Sequence, residues 1–255
     1  MGAMPDGPRA RFDGWRMVLA LAVTETVSFG ILFYAFTVFV EPMRADLGWS
    51  TATITAGFSI GLVTSGLMAP LAGRWVDRHG PRGLMTVGSL VATAGLVAWS
   101  QVSTPLGFYT LWACLGVANA MVLYEPAFAL IAVWFDRRRG AALTLLTFVA
   151  GFASVIFVPL AGLLVERLGW RDTLLTLAGV QLLVTTPLHA LVLRRSPADV
   201  GQEVDGGQVE PPAPSRVRTR PAQSAWWHCR DGWCSRRSGA RGRAGAAVRS
   251  GAGER

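Results

Sequence analysis

Along residues 1–195 the chain alternates long apolar runs with short polar connections, and the connections carry nearly all the charge. Six runs stand out, at about residues 17–40, 53–72, 83–100, 106–135, 141–164 and 173–193. At about 1.5 Å of rise per residue, most of them suffice to cross about 30 Å of hydrocarbon as helices. Apolar residues cover every face of each run and leave no polar stripe, which favours membrane spans over amphipathic helices at a soluble core. The first run is too long for the apolar region of a secretory signal and lacks a small-x-small cleavage site. The pattern stops after residue 195: from Arg194 to Arg255 there is no Leu, Ile, Met, Phe or Tyr. The division expected is therefore a cytoplasmic N-terminus (1–16), a six-helix transmembrane domain (17–195) and a disordered Arg/Gly/Pro-rich tail (196–255).

Composition agrees and adds an orientation. The chain has 255 residues, no lysine, 24 basic and 16 acidic residues, and a formal charge of +8. Charged residues make up only 16% against about a quarter in a typical soluble domain. Mean hydropathy is +0.38. Twelve spans would need roughly 240 residues before any loop was counted, so the length allows half of such a protein and not a whole one. The connections expected on one side carry Arg9, Arg11, Arg16, Arg74, Arg78, Arg82, Arg137, Arg138, Arg139, Arg194 and Arg195; the other side has Arg44, Arg167 and Arg171. The positive-inside rule then places both termini in the cytoplasm of a multi-pass cell (inner) membrane protein.

Cys114 falls within the fourth run, where a thiol behaves as a small apolar residue. His228, Cys229 and Cys234 crowd together in the tail but lack a fourth ligand, so no metal site is expected. The runs hold a single histidine, His189, and no nucleophile with a base at hand, which argues against an enzyme. No cofactor is implied.

An internal repeat organises the six runs. Pro-Leu-Ala-Gly-x-x-Val-acid-Arg-x-Gly begins at Pro70 and again at Pro159, 89 residues later and at the opposite membrane face. Opposite faces are what a 3+3 inverted repeat requires. The repeat pairs the first run with the fourth, and these hold the intramembrane acids, Glu25 and Glu125. Counted from Arg16 and Asp136, both lie roughly 14–16 Å from the same side. An ionisable group at that depth needs a polar cavity or a partner, so each marks a candidate site for a solute or a coupling proton; a hydrogen bond to a neighbouring helix is the alternative. Pro126 removes a backbone donor and should open the fourth helix locally. Asn119 and Tyr124 are cavity candidates, with Thr24, Thr26 and Ser28 nearby. Gly57, Gly61 and Ser65 in the second run, and Gly116 and Ala120 in the fourth, are spaced for close helix packing.

The connection after the second run reads Gly73-Arg-Trp-Val-Asp77-Arg78-His-Gly80-Pro-Arg82. Its glycines suit a tight reversal, and Asp77 is placed to meet helix N-terminal amides. This segment resembles the Gly-x-x-x-Asp-Arg-x-Gly-x-Arg loop of the major facilitator superfamily, matching at Gly73, Asp77, Arg78, Gly80 and Arg82. A narrower resemblance, to the monocarboxylate and oxalate/formate porter branch, rests on Asp13-Gly14-Trp15 entering the first helix and on Trp134-Phe135-Asp136-Arg137-Arg138-Arg139-Gly140-Ala141-Ala142 entering the fifth. Leu143, Thr144 and Leu145 depart from the small residues of that second signature, and Trp112 stands where proton-coupled members often carry Arg.

The resemblance implies an all-α integral membrane half of a major facilitator fold, and alternating-access transport of a small organic solute such as a monocarboxylate-like anion. Arg137–Arg139 would anchor the cytoplasmic face. The implied partners are the bilayer, the solute, possible coupling protons, and a missing second six-helix half or a second copy; no nucleic acid is expected. The chain reads as truncated and inactive alone, with a tail resembling an out-of-frame continuation. Two rivals stay open: a six-helix homodimeric transporter, and a non-transporting interaction or regulatory protein whose basic tail binds lipid or nucleic acid.

Overall fold

The computed structural model describes residues 12–206, and these are almost wholly helical. In chain order the helices are α1 (Gly14–Phe29), α2 (Phe36–Leu47), α3 (Thr51–His79), α4 (Pro81–Ser100), α5 (Pro105–Val122), α6 (Tyr124–Trp134), α7 (Arg139–Ala150), α8 (Ala153–Val180) and α9 (Thr186–Leu191). Their starts have local causes. The Ser50 and Thr104 hydroxyls accept from the Thr53 and Gly107 amides at 3.1 and 3.3 Å, and Pro81 and Pro105 occupy first-turn positions where no amide is needed.

These helices join into five continuous stretches long and apolar enough to cross a membrane: Gly14–Leu47, Thr51–His79, Pro81–Ser100, Pro105–Trp134 and Arg139–Leu191. The first continues from α1 into α2 through a π-helical stretch, Gly30–Tyr34. The last holds both the fifth and sixth apolar runs in 53 residues, so helix continuity does not separate them. Its backbone is nevertheless non-helical at Gly169, with φ 79° and ψ 167°. Gly80, the equivalent position of the sequence repeat, has φ 83° and ψ 165°. A left-handed φ of this size suits glycine alone, so the two glycines shared by the repeat make matching turns.

Close packing follows the small residues. α3 lies along α5. A side chain at Gly57 would meet the Phe108 ring, one at Gly61 would meet Trp112, and one at Gly116 would meet the Gly61 carbonyl. Around this seam the half of the molecule away from the arginine-rich connections fills with aromatic rings. Trp112 stands edge-on to Phe36, Phe58 and Trp99 at 5.1, 5.3 and 5.0 Å, and Trp99 is edge-on to Phe39 at 5.4 Å. Trp112 is thus part of an aromatic core. At that end Asp46 accepts from the Trp170 indole and from Arg171, both at 3.1 Å, while Arg171 also donates to the Ser100 carbonyl at 2.7 Å.

Two sequence boundaries shift. The Gly73–Arg82 motif is not a loop: α3 runs to His79, Gly73 lies mid-helix, and only Gly80 makes the turn, with Pro81 opening α4. Ordered structure also continues past residue 195. Ser196 and Asp199 form a reciprocal cap over the 3₁₀ turn Pro197–Val200, and a second turn covers Val204–Gly206. The rest of the tail, with His228, Cys229 and Cys234, lies outside the described residues.

Candidate functional site

Glu25 is fully buried on α1, five residues before the π-helical stretch, and neither carboxylate oxygen has a hydrogen-bond partner among the described residues. The stretch opens on Gly30, where a side chain would collide with the Phe157 ring of α8. π-Bulges recur at functional sites because they re-aim side chains without ending a helix.

Glu125 reaches the same region by a different device. The fourth run breaks at Leu123, whose ψ of −161° separates α5 from α6. Pro126 accounts for the position, because it cannot donate to the Val122 carbonyl and its ring crowds that turn. The break places Glu125 in the first turn of α6, where a helix N-terminus favours a carboxylate, and leaves it exposed. The two carboxyl groups, on runs that the repeat pairs, therefore differ in setting. Glu125 acts electrostatically on Glu25, and Glu25 and Tyr34 act on Tyr124, so the four form one cluster. Tyr124 packs on Phe29 at 4.5 Å and stacks on Phe128 at 5.0 Å. Asn119 is buried on α5 with its carboxamide oxygen unpartnered. Of the neighbouring hydroxyls, Thr24 and Thr26 turn back to the Leu21 and Ala22 carbonyls, at 3.1 and 2.7 Å.

The arginine-rich end is assembled from the family-like segments. Phe12 and Trp15, flanking Asp13-Gly14, pack edge-on against Phe135 at 5.4 and 5.2 Å, so the two porter-like signatures touch. Asp136, Arg137 and Arg138 are exposed, and Arg139 opens α7. Their loop is held by a residue that composition assigned to the tail. The Asp205 carboxylate accepts from the backbone amides of Asp136, Arg137 and Arg138 at 3.3, 2.7 and 3.3 Å. Desolvation pushes the Asp205 carboxyl upward, but those amides and the Arg138 guanidinium outweigh it and hold the group below the usual carboxylate range. Arg195 donates to the Arg78 carbonyl at 2.8 Å, and the Gln202 side chain accepts from the Asp13 amide at 3.1 Å. Asp77, expected to meet helix amides, instead lies exposed on the last turn of α3 with no hydrogen-bond partner among the described residues. Arg78 and Arg82 are likewise exposed.

Sequence reasoning named Ser28 and His189 but passed over their polar partners Gln181 and Ser89. Gln181 donates to the Ser28 hydroxyl at 3.1 Å, and the His189 Nδ1 lies 2.7 Å from the Ser89 hydroxyl, all four residues being buried. Gln181, Thr185 and His189 recur at a spacing of four in an otherwise apolar run, a stripe that marks a polar helix face. No group of three or more His, Cys, Asp or Glu side chains able to hold a metal occurs among the described residues.

Comparison with known proteins places this architecture. A riboflavin transporter of Trypanosoma cruzi is 33% identical over 165 residues, covering 63% of this chain and 34% of that protein. Monocarboxylate transporter 11 of Homo sapiens is 29% identical over 194 residues, covering 76% of this chain and 41% of its own length. Monocarboxylate transporter 3 of Rattus norvegicus is 31% identical over 183 residues, covering 70% and 35%. The chain thus spans well under half the length of these relatives. The model of the Major Facilitator Superfamily matches residues 21–235, beyond the compositional boundary at 195. On that match the chain belongs to the Major Facilitator Superfamily, a family of transporters rather than enzymes, and it resembles the monocarboxylate branch.

Proposed function

We propose that the chain forms one wall of a pathway that moves a small monocarboxylate-like anion, with a proton, across the cell membrane by alternating access. Its six apolar runs would form a 3+3 inverted repeat, with the arginine-rich end and both termini in the cytoplasm. Glu25, Glu125, Asn119 and Tyr124 would line the cavity at the repeat interface. The observation that carries this reading is the pairing of a buried, unpartnered Glu25 with an exposed Glu125 at a broken helix. A carboxylate solute meeting two acidic side chains is tolerated only where at least one holds a proton, which links solute and proton movement.

The opposite wall would be a second six-helix unit, either another half or a second copy. Large apolar side chains stand exposed along α3 (Val63, Leu67, Leu71) and along α7 and α8 (Phe148, Val155), a surface for lipid and for such a unit. Asp77, Arg78 and Arg82 would stabilise one orientation by meeting that unit, which accounts for the exposed Asp77 carboxylate. Arg137, Arg138 and Arg139 would anchor the loop at the anionic leaflet.

Liposomes reconstituted with the 255-residue chain are expected to take up no more lactate than a Glu25→Gln/Glu125→Gln control. Uptake above that control would show that one kind of chain supplies both walls, and crosslinking in the membrane would then identify a dimer. Lactate is also expected to slow maleimide modification of a cysteine placed at Glu125. If it does not, the monocarboxylate reading fails.

A further inference from the structure

A second polar region lies apart from the cleft, between α1, α4 and the last helical stretch. Gln181 and Thr185 sit on a π-helical stretch, Gln181–Thr185, that leads into α9, and both are fully buried with Ser28, Ser89 and His189. Some of their hydrogen bonds are made within the protein: Gln181 to Ser28, Thr185 to the Gln181 carbonyl at 2.6 Å, and His189 to Ser89 and the Met85 carbonyl. Others are not. The Gln181 carboxamide oxygen, the Thr186 hydroxyl and the His189 Nε2 are buried without a partner among the described residues, as is the nearby Glu25 carboxylate. Buried polar atoms in folded proteins nearly always bond to protein or to ordered water, so three such atoms on one short segment call for a partner.

The groups also fall in order along the helices. Counted from Arg194, His189, Thr185 and Gln181 lie about 8, 14 and 20 Å in. Counted from Arg16, Glu25 and Ser28 lie about 14 and 18 Å in. Ser28 is one turn from Glu25 on an adjoining face of α1, so the row of polar groups ends beside the Glu25 carboxyl. Its other end approaches a pocket of about 110 Å³ lined by Asp13, Arg16, Met17, Leu191, Val192 and Arg194, between the start of α1 and the end of α9. Asp13 and Arg16 are ion-paired there at 3.3 Å. Glu25 and His189 are the two buried titratable side chains among the described residues, and they stand near opposite ends of this row.

From the orphaned atoms, their order and the pocket, we infer that a hydrated polar track runs from the arginine-rich end past His189, Ser89 and Gln181 to Glu25, separate from the solute cleft. Ordered waters complete the bonds of His189, Thr186 and Gln181, and give Glu25 a proton connection that does not pass Tyr124 or Glu125. The proton role rests on the transport reading; the hydration does not.

Radiolytic footprinting of the full chain in lipid nanodiscs tests it, because hydroxyl radicals formed from bound water label the side chains beside it. Met85 and His189 are fully buried next to the track, whereas Met43 and Trp99 are fully buried in the aromatic core, where the indole donates to the Met43 sulfur at 3.4 Å. After normalisation to the unfolded chain, Met85 and His189 are expected to label about fivefold or more faster than Met43 and Trp99. Equal or slower labelling overturns the track. Ser89→Ala/His189→Leu should bring Met85 down to the Met43 rate, whereas His189→Gln, which keeps hydrogen-bonding capacity, should preserve it. Should the double variant fail to fold, the comparison within the native chain still decides. A failure of lactate to protect Glu125 would leave this readout untouched, so the two ideas can fail separately.

Discussion

The two halves of the helix bundle solve burial in opposite ways. Away from the arginine-rich end, α2 to α5 interlock Phe36, Phe39, Phe58, Trp99, Phe108 and Trp112, with glycines thinning α3 and α5 so that the rings fit. Toward the arginine-rich end, α1, α4, α6 and the last helical stretch bury Glu25, Ser28, Ser89, Gln181 and His189, several of them incompletely bonded. Packed rings contribute about 0.5–1.5 kcal/mol per pair beyond their area, whereas each unpartnered polar group costs about 1–3 kcal/mol. The first half is a scaffold with one arrangement. The second keeps buried polar groups that lack partners among the described residues, which the proposed pathway would use.

Substitutions should therefore change stability with opposite signs in the two halves. Trp112→Ala opens a cavity in the aromatic half and is expected to cost about 3–5 kcal/mol, read as the largest fall in thermal midpoint of the chain in detergent or nanodiscs. Glu25→Leu removes a buried unpartnered carboxyl and is expected to raise stability by about 1–3 kcal/mol while removing function. A Glu25→Leu chain that melts earlier than the native one would mean that Glu25 is structurally satisfied, and the contrast would collapse.

Smaller effects belong to the arginine-rich surface. Asp205→Asn weakens three amide bonds to the α6–α7 connection and should speed hydrogen exchange at Arg137 and Arg138. Because the Asp205 carboxyl is held below its ordinary value of 3.8, its contribution is complete above about pH 4 and is lost as pH falls through the depressed value. The native chain should then converge on Asp205→Asn as pH falls, and a difference that grows with acidification would contradict the assignment. The least effect is expected at Cys114, exposed on α5: Cys114→Ser should stay within about 0.5 kcal/mol.

Much of this was legible from residue order. Apolar runs, arginine placement and the Gly80/Gly169 repeat anticipated the helices, the charged end and two matching turns, because each depends on local chemistry. Glu25 and Glu125 stood out as acids in apolar runs. Pro126 also announced the break beside Glu125, but the full burial of Glu25 was not legible, because it depends on helices packed across the bundle. The Gly73–Arg82 motif read as a loop because its composition is polar, yet helical hydrogen bonds continue to His79. Asp205 was hidden by the tail-like composition of the residues around it. A residue that caps a distant helix carries no signal in its own neighbourhood.

If the proposed pathway is correct, Glu125 is the open carboxyl of a water-filled solute cleft and Glu25 is its buried one. Substituted-cysteine labelling in native membranes addresses this directly, in a background with Cys114, Cys229 and Cys234 replaced by Ser. With a membrane-impermeant maleimide, Glu125→Cys should react readily and be slowed by lactate. Glu25→Cys should react far more slowly, and Val155→Cys on the apolar face of α8 should not react. If Glu125→Cys proves as inert as Val155→Cys, Glu125 faces lipid or protein, and the cleft does not exist.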